Sequence, residues 1–220
     1  MKLTDLLFPR KCPFCRNLLQ EGEVLLCGEC RRTLPWTGNV SRSRGSFFSV
    51  CISPLYYDGR ARDALLRFKF SGKRSYAACF GRLTADCVKA ELDERIDAVT
   101  YVPLSLLRLR QRGYSQTRLL AEAMSRELDI PCIRLLRKRR HTRKQSSLHG
   151  EAARKANVSG AFAARNGADI AGKTILLVDD VRTTGATLAE CSRILLMAGA
   201  EKVVCATLCR AQSRNQNKKA

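Results

Sequence analysis

Two adjacent carboxylates, Asp179 and Asp180, are followed closely by Thr183, Thr184, Gly185, Ala186 and Thr187, all inside the run ILLVDDVRTTGAT at residues 175–187. Neighbouring acids suit sugar hydroxyls or a hard metal ion, because an ionised carboxylate accepts hydrogen bonds and coordinates hard cations. The hydroxyl-rich loop after them runs into a helix-like segment, whose unpaired backbone N–H groups and dipole favour a phosphate. Together these residues describe a seat for a sugar phosphate. The plainer reading of the same run is a strand, an acidic turn and a helix.

Four of the eleven cysteines are organised, as Cys12-Pro-Phe-Cys15 and Cys27-Gly-Glu-Cys30. Each C-x-x-C pair can form a tight turn that aims two sulfurs at one point, and two such turns complete a tetrahedral site suited to zinc. With all four positions filled by protein, such a site is structural. The residues between the pairs leave room for a short hairpin, expected over residues 21–26. A redox pair or unrelated buried thiols are the alternatives. Cys51, Cys79, Cys87, Cys132, Cys191, Cys205 and Cys209 lie among apolar residues and read as small core side chains.

Forty Lys and Arg against twenty Asp and Glu give a formal net charge of +20, an excess that favours nucleic acid, nucleotides or phosphate-rich ligands. A length of 220 residues suffices for one domain with a small appendage, and a hydrophobic content of 45% is that of a globular chain. No apolar run approaches the ~20 residues that span a bilayer, so membrane insertion is not expected. The start, MKLTDLLFPRK, has neither a long apolar core nor a small-residue cleavage site, and a cytoplasmic location is expected. A disulfide framework is not expected there.

The elements that must position these residues alternate along the chain. Residues 1–36 form the zinc module, which is too small to bury much core without the metal. Residues 37–49 (TGNVSRSRGSFFS) read as a basic linker, residues 50–210 as one domain, and residues 211–220 as a disordered basic tail. Strands are expected over residues 50–57, 98–103, 130–136, 173–178 and 202–208, with helices over 60–70, 76–92, 115–128 and 187–198. That alternation implies an α/β fold with a doubly wound, mostly parallel sheet. The acids then sit where the strand over 173–178 ends, the usual place for a ligand in an open α/β sheet.

Residues 134–150 contain no acid, and Arg137, Lys138, Arg139, Arg140, Arg143 and Lys144 crowd together within them. Self-repulsion of such a run favours a mobile loop. Its cations can meet phosphate or nucleic acid, or form a solvated charge run. Arg112 precedes a helix and can meet a phosphate at its N-terminus, or be solvated.

The acid pair with its Thr-Thr-Gly loop resembles the signature of type I phosphoribosyltransferases, with Arg182 where an aliphatic residue is common. Three further blocks are similar to those of the ComF family. One is Tyr57-Asp58-Gly59 with Leu65, Lys69 and Phe70; another is Val102-Pro103-Leu104 with Arg112-Gly113-Tyr114-Ser115-Gln116, where Ser115 replaces the usual Asn. The last comprises Thr142, Gln145, Leu148, Arg154, Asn157, Val158 and Phe162. With the cysteine pairs, the resemblance covers nearly the whole chain.

The resemblance implies a type I phosphoribosyltransferase fold behind a zinc-ribbon-like module, and 5-phosphoribosyl 1-pyrophosphate (PRPP) with Mg²⁺ as ligand. It makes Asp179 and Asp180 the catalytic, ribose-holding acids. The same likeness gives the 5′-phosphate to Thr183, Thr184, Gly185, Ala186 and Thr187. Arg112 joins the PRPP contacts, Arg139, Arg140, Arg143 and Lys144 form a flexible basic loop near pyrophosphate, and Cys12, Cys15, Cys27 and Cys30 hold zinc. The acceptor of any phosphoribosyl transfer is not identifiable. The rival reading is a non-catalytic adaptor that holds single-stranded DNA and meets proteins of the DNA-uptake machinery.

Overall fold

The computed structural model describes residues 9–140, 151–165, 167 and 169–212. Its N-terminal part is built from two knuckles. Arg16 N–H returns to the Cys12 carbonyl at 2.9 Å, and a bridge joins Lys11 to Leu18. The second knuckle runs into helix α1 (Gly28–Thr33), with Cys27 as its N-cap. The hairpin expected over residues 21–26 does not form. Instead the Glu23 carboxylate accepts from Gln20 N–H at 2.8 Å and from Gly28 N–H, the first donor of α1, at 2.6 Å, which holds the stretch as a turn.

The segment read as a linker is largely structured. Strand β1 (Arg42–Gly45) pairs antiparallel with β2 (Phe48–Ile52), and the register shifts between Ser43 and Gly45. Gly45 is required here, since a Cβ would fall 2.1 Å from the Phe48 ring. The polar sequence of β1 carries no strand pattern of its own; its partner imposes the strand.

The remaining elements follow in order: β3 (Leu55–Tyr56), α2 (Gly59–Phe70), α3 (Tyr76–Glu91), β4 (Ala98–Tyr101), α4 (Leu106–Arg112), α5 (Gln116–Leu128), β5 (Leu136–Lys138), α6 (Glu151–Val158), β6 (Phe162–Ala164), β7 (Thr174–Arg182), α7 (Ala186–Met197) and β8 (Lys202–Arg210). The strand expected over 130–136 shrinks to a bridge between Cys132 and Val99. Pro131 there has no N–H to give to a ladder. Ser115, in place of the family Asn, accepts from Arg118 N–H at 3.3 Å and caps α5.

The main sheet runs β1-β2-β8-β7-β4, with β3 also alongside β8; β2, β8, β7 and β4 are mutually parallel. Strands β5 and β6 form a separate antiparallel ribbon. Alternate residues of β7 and β8 feed two cores. Leu176, Val178, Val204 and Ala206 join the one that holds α2, α3 and α5. Ile175, Leu177, Val203 and Cys205 join the one that holds α7. A strand covered on both faces must be apolar at every position, which is why these runs are continuous.

The cysteine module belongs to the first of these cores. Cys12, Phe14, Cys30 and Leu34 pack into it, with Phe14 and Phe80 ring centroids 5.4 Å apart. Arg67 of α2 donates to the carbonyls of Pro13 at 2.9 Å and Phe14 at 2.7 Å. No helix among the described residues is long and apolar enough to cross a membrane.

Candidate functional site

Strand β7 does not stop before the acids. It pairs with β8 through Asp179–Thr207 and Arg182–Arg210, because β8 is long enough to supply partners that far. Asp179 and Asp180 therefore lie within the last part of the ladder, on rigid backbone. The chain then turns through Gly185, whose φ of +81° suits glycine, into α7. Residues 183–187 and both acids line one cleft of about 430 Å³ at the C-terminal end of the parallel strands.

The two acids have different surroundings. Asp180 is 5% exposed, and both its oxygens are engaged: Lys69 Nζ lies 2.8 Å from Oδ1, and Gln116 Nε2 donates to Oδ2 at 2.9 Å. Asp179 is only partly buried, and its Oδ1 accepts from Asp180 N–H at 2.8 Å. Burial, then the neighbouring Asp180 charge, push the Asp179 carboxyl from 3.8 up to about 7.

Lys69 and Gln116 come from two other family-like blocks, and neither position has an obvious role in the sequence. Lys69 is in the last turn of α2 and Gln116 opens α5. The signal for them was the resemblance itself, which includes both residues.

The cleft lining also carries cations, Arg108, Arg112 and Lys138. Arg112 closes α4 rather than heading α5, with its guanidinium 4.8 Å from the centre of the Phe70 ring. Arg108, one turn earlier, also lines the cleft; burial and then Arg112 hold its guanidinium below the usual range. Lys138 enters from β5, 4.9 Å from the Phe162 ring centre, and burial followed by the Arg108 charge lowers it to about 8.

The basic run is thus partly ordered. Lys138 is in a strand, Arg139 N–H donates to Ala161 O at 2.8 Å, and Arg140 donates to Ser159 O at 2.8 Å. Arg139 and Arg140 are exposed and do not line the cleft. Arg143 and Lys144 lie outside the described residues. Arg182, at the cleft margin, donates to Ser43 Oγ and to Arg44 O at 2.6 Å, so its guanidinium fastens the β1–β2 hairpin.

The metal centre is assembled apart from this cleft. The Sγ atoms of Cys12, Cys15, Cys27 and Cys30 all lie within 4.8 Å of one another, and those of Cys15 and Cys27 are 3.5 Å apart. Tetrahedral zinc with sulfur ligands needs edges of about 3.8 Å, so four thiolates so placed fit Zn²⁺.

Comparison with known proteins matches both parts. The family described as a phosphoribosyl transferase domain matches residues 116–220, and a double zinc ribbon domain matches residues 3–50. Competence protein F of Haemophilus influenzae is 29% identical over 218 residues, covering 89% of this chain and 95% of that protein. Competence protein ComFC of Bacillus subtilis is 30% identical over 200 residues, covering 86% and 78%. The DNA utilization protein YhgH of Escherichia coli is 31% identical over 205 residues, covering 90% and 83%.

Proposed function

The chain belongs to the ComF family of competence and DNA utilization proteins, with a four-cysteine zinc ribbon ahead of a type I phosphoribosyltransferase fold, and we propose that its cleft binds PRPP or a closely related sugar phosphate together with Mg²⁺. The observation that carries this reading is the asymmetry of one cleft: a Thr-Gly loop at a helix start, an acid pair beside it, and a wall of Arg108, Arg112 and Lys138. The loop suits the 5′-phosphate. Asp179, not fully committed within the protein, suits ribose hydroxyls and the hard-oxygen environment of Mg²⁺, which keeps waters and phosphate oxygens around it. The cationic wall suits a pyrophosphate.

The chemistry such a site supports is attack by an acceptor nucleophile at the anomeric carbon while the bond to pyrophosphate breaks and its electron pair leaves with that group. Mg²⁺ would supply charge neutralisation on the phosphate oxygens. The chain's own residues would contribute positioning and preorganised charge, with little proton transfer by side chains. Calorimetric titration of PRPP with Mg²⁺, beside an Asp179→Asn variant, tests the binding. Saturable binding lost in the variant supports the reading, and no binding by folded, zinc-loaded protein overturns it.

The net charge of +20 favours a second activity, contact with single-stranded DNA, in line with the names of the relatives. Here the test is salt: the log–log slope of affinity is expected to fall by about 0.7 for each phosphate neutralised. A slope near zero would leave the surface without a polyanion partner.

A further inference from the structure

Phe70, the last residue of α2, is 62% exposed and lies on the cleft lining. Removal from water does not account for an aromatic side chain so placed. Its one ring partner among the described residues is the guanidinium of Arg112, 4.8 Å from the ring centre. The backbone brings the two together. Two residues back from Phe70, Phe68 O accepts from the hydroxyl of Tyr114, which lies two residues beyond Arg112, and the rings of Phe68 and Tyr114 are 6.0 Å apart. Arg74 donates to Gly113 O at 3.0 Å, and Gly113, at a φ of +73°, closes α4 directly after Arg112. The ends of α2 and α4 are thus stitched side by side.

Arg112 is half-buried and lines the cleft, and its guanidinium has no hydrogen bond or ion pair among the described residues. Two other arginines nearby are spent on the protein, Arg182 on Ser43 and Arg44 and Arg74 on Gly113. Helix α4 carries no acid, and Arg108 stands one turn before Arg112, so the two charges repel with nothing in the helix to offset them. Burial lowers the Arg112 guanidinium, and the charges of Asp180 and Asp179 act on it in the opposite sense, which places it within electrostatic reach of the acid pair. A ring attracts a cation through its π face and offers no lone pair, so the N–H donors of Arg112 stay available to an anion.

We propose that Phe70 is a positioning residue, whose ring holds the Arg112 guanidinium in the cleft so that its N–H fork meets the pyrophosphate of the bound sugar phosphate. The inference rests on the sugar-phosphate reading of the cleft. Arg112 makes the contact, and Phe70 acts through it. What the ring contributes is preorganisation, because an arginine free to rotate must be ordered at the moment of binding.

The test is calorimetric titration of PRPP with Mg²⁺, and separately of ribose 5-phosphate, into wild type, Phe70→Leu, Phe70→Tyr, Arg112→Gln and the double variant Phe70→Leu/Arg112→Gln. Phe70→Leu keeps an apolar side chain and removes the π face. It should weaken PRPP roughly two- to tenfold, the cost of ordering one long side chain, and leave ribose 5-phosphate, which has no pyrophosphate, unchanged. Phe70→Tyr should bind PRPP as wild type does. Arg112→Gln should weaken PRPP, and adding Phe70→Leu to it should change nothing further.

Equal weakening of both ligands by Phe70→Leu would make Phe70 a structural residue and overturns the inference. So does PRPP affinity unchanged by Phe70→Leu or by Arg112→Gln, a Phe70→Leu loss that persists in the Arg112→Gln background, or a Phe70→Tyr variant as weak as Phe70→Leu. In each of these cases PRPP binding that depends on Asp179 leaves the sugar-phosphate reading standing. Failure of folded wild type to bind PRPP overturns both.

Discussion

Lys69 Nζ and Asp180 Oδ1 are 2.8 Å apart, with side chains 14% and 6% exposed, and this pair joins the end of α2 to the end of β7. An ion pair so far from water gains from its geometry and from the second oxygen's bond to Gln116, and it loses heavily if one partner is removed. It also ties the acid pair to the same helix whose Arg67 grips the first cysteine knuckle.

Lys69→Met is therefore expected to cost about 3–5 kcal/mol of stability by leaving the Asp180 charge unpaired. Asp180→Asn in the same chain should recover much of that loss. A double-mutant cycle by urea unfolding checks it, and additive losses would mean that the pair is not coupled.

Asp179→Asn should weaken ribose 5-phosphate by roughly 10- to 100-fold, the value of a charge-assisted hydrogen bond, while raising the melting temperature of the ligand-free protein at pH 8. The sign follows from the carboxyl's rise from 3.8 to about 7 in the folded state. A raised acid binds its proton more tightly folded than unfolded, so its cost is absent below the unfolded value and grows as pH climbs to about 7. Thermal melts of wild type and variant should coincide at pH 3.5 and separate at pH 8. A variant that melts lower at pH 8 would contradict this.

Cys30→Ser, or removal of zinc by a chelator, should lower the melting temperature of the whole chain by about 10 °C or more, in one transition. The basis is the shared core of Phe14, Leu34 and Phe80 and the bonds from Arg67 to the Pro13 and Phe14 carbonyls. Two separate calorimetric transitions, only one of them moved, would show that the module melts alone.

Gly81→Ala should destabilise by about 1–3 kcal/mol. A Cβ there would sit 2.3 Å from the Ala123 Cβ and 3.1 Å from its backbone carbon, where α3 and α5 touch. Gly81→Ala with Ala123→Gly should restore part of the loss in denaturant unfolding.

Much of the architecture was legible because β7 and β8 are buried on both faces and so read as unbroken apolar runs at Ile175 and Val203. The cysteine spacing and the acid-loop run also carried through to the arrangement of the four thiols and to the family match. What stayed hidden depended on partners distant in sequence. Arg42 to Gly45 form a strand only because β2 lies beside them, and Asp179 remains in the ladder only because β8 extends to Arg210. Lys69, Gln116 and Asp180 meet across 111 positions, so no local pattern announces them. The pairing of Arg182 with the hairpin was equally invisible, since the sequence leaves that arginine open between solvent and an anion, and its partners Ser43 and Arg44 lie far away in the chain.

Strand β8, almost the last of the described chain, lies in the middle of the sheet, between β2 and β7. During synthesis the strands made first cannot pair across that gap until β8 has also been made. The cysteine knuckles can close on their metal long before, and so wait as a finished piece beside an unfinished sheet. A chain truncated before Lys202 should leave the sheet open to proteases, and limited proteolysis would reveal it. The consequence of the central position is slow folding with strand edges exposed until β8 pairs, and those unpaired edges are where this chain is most prone to aggregate.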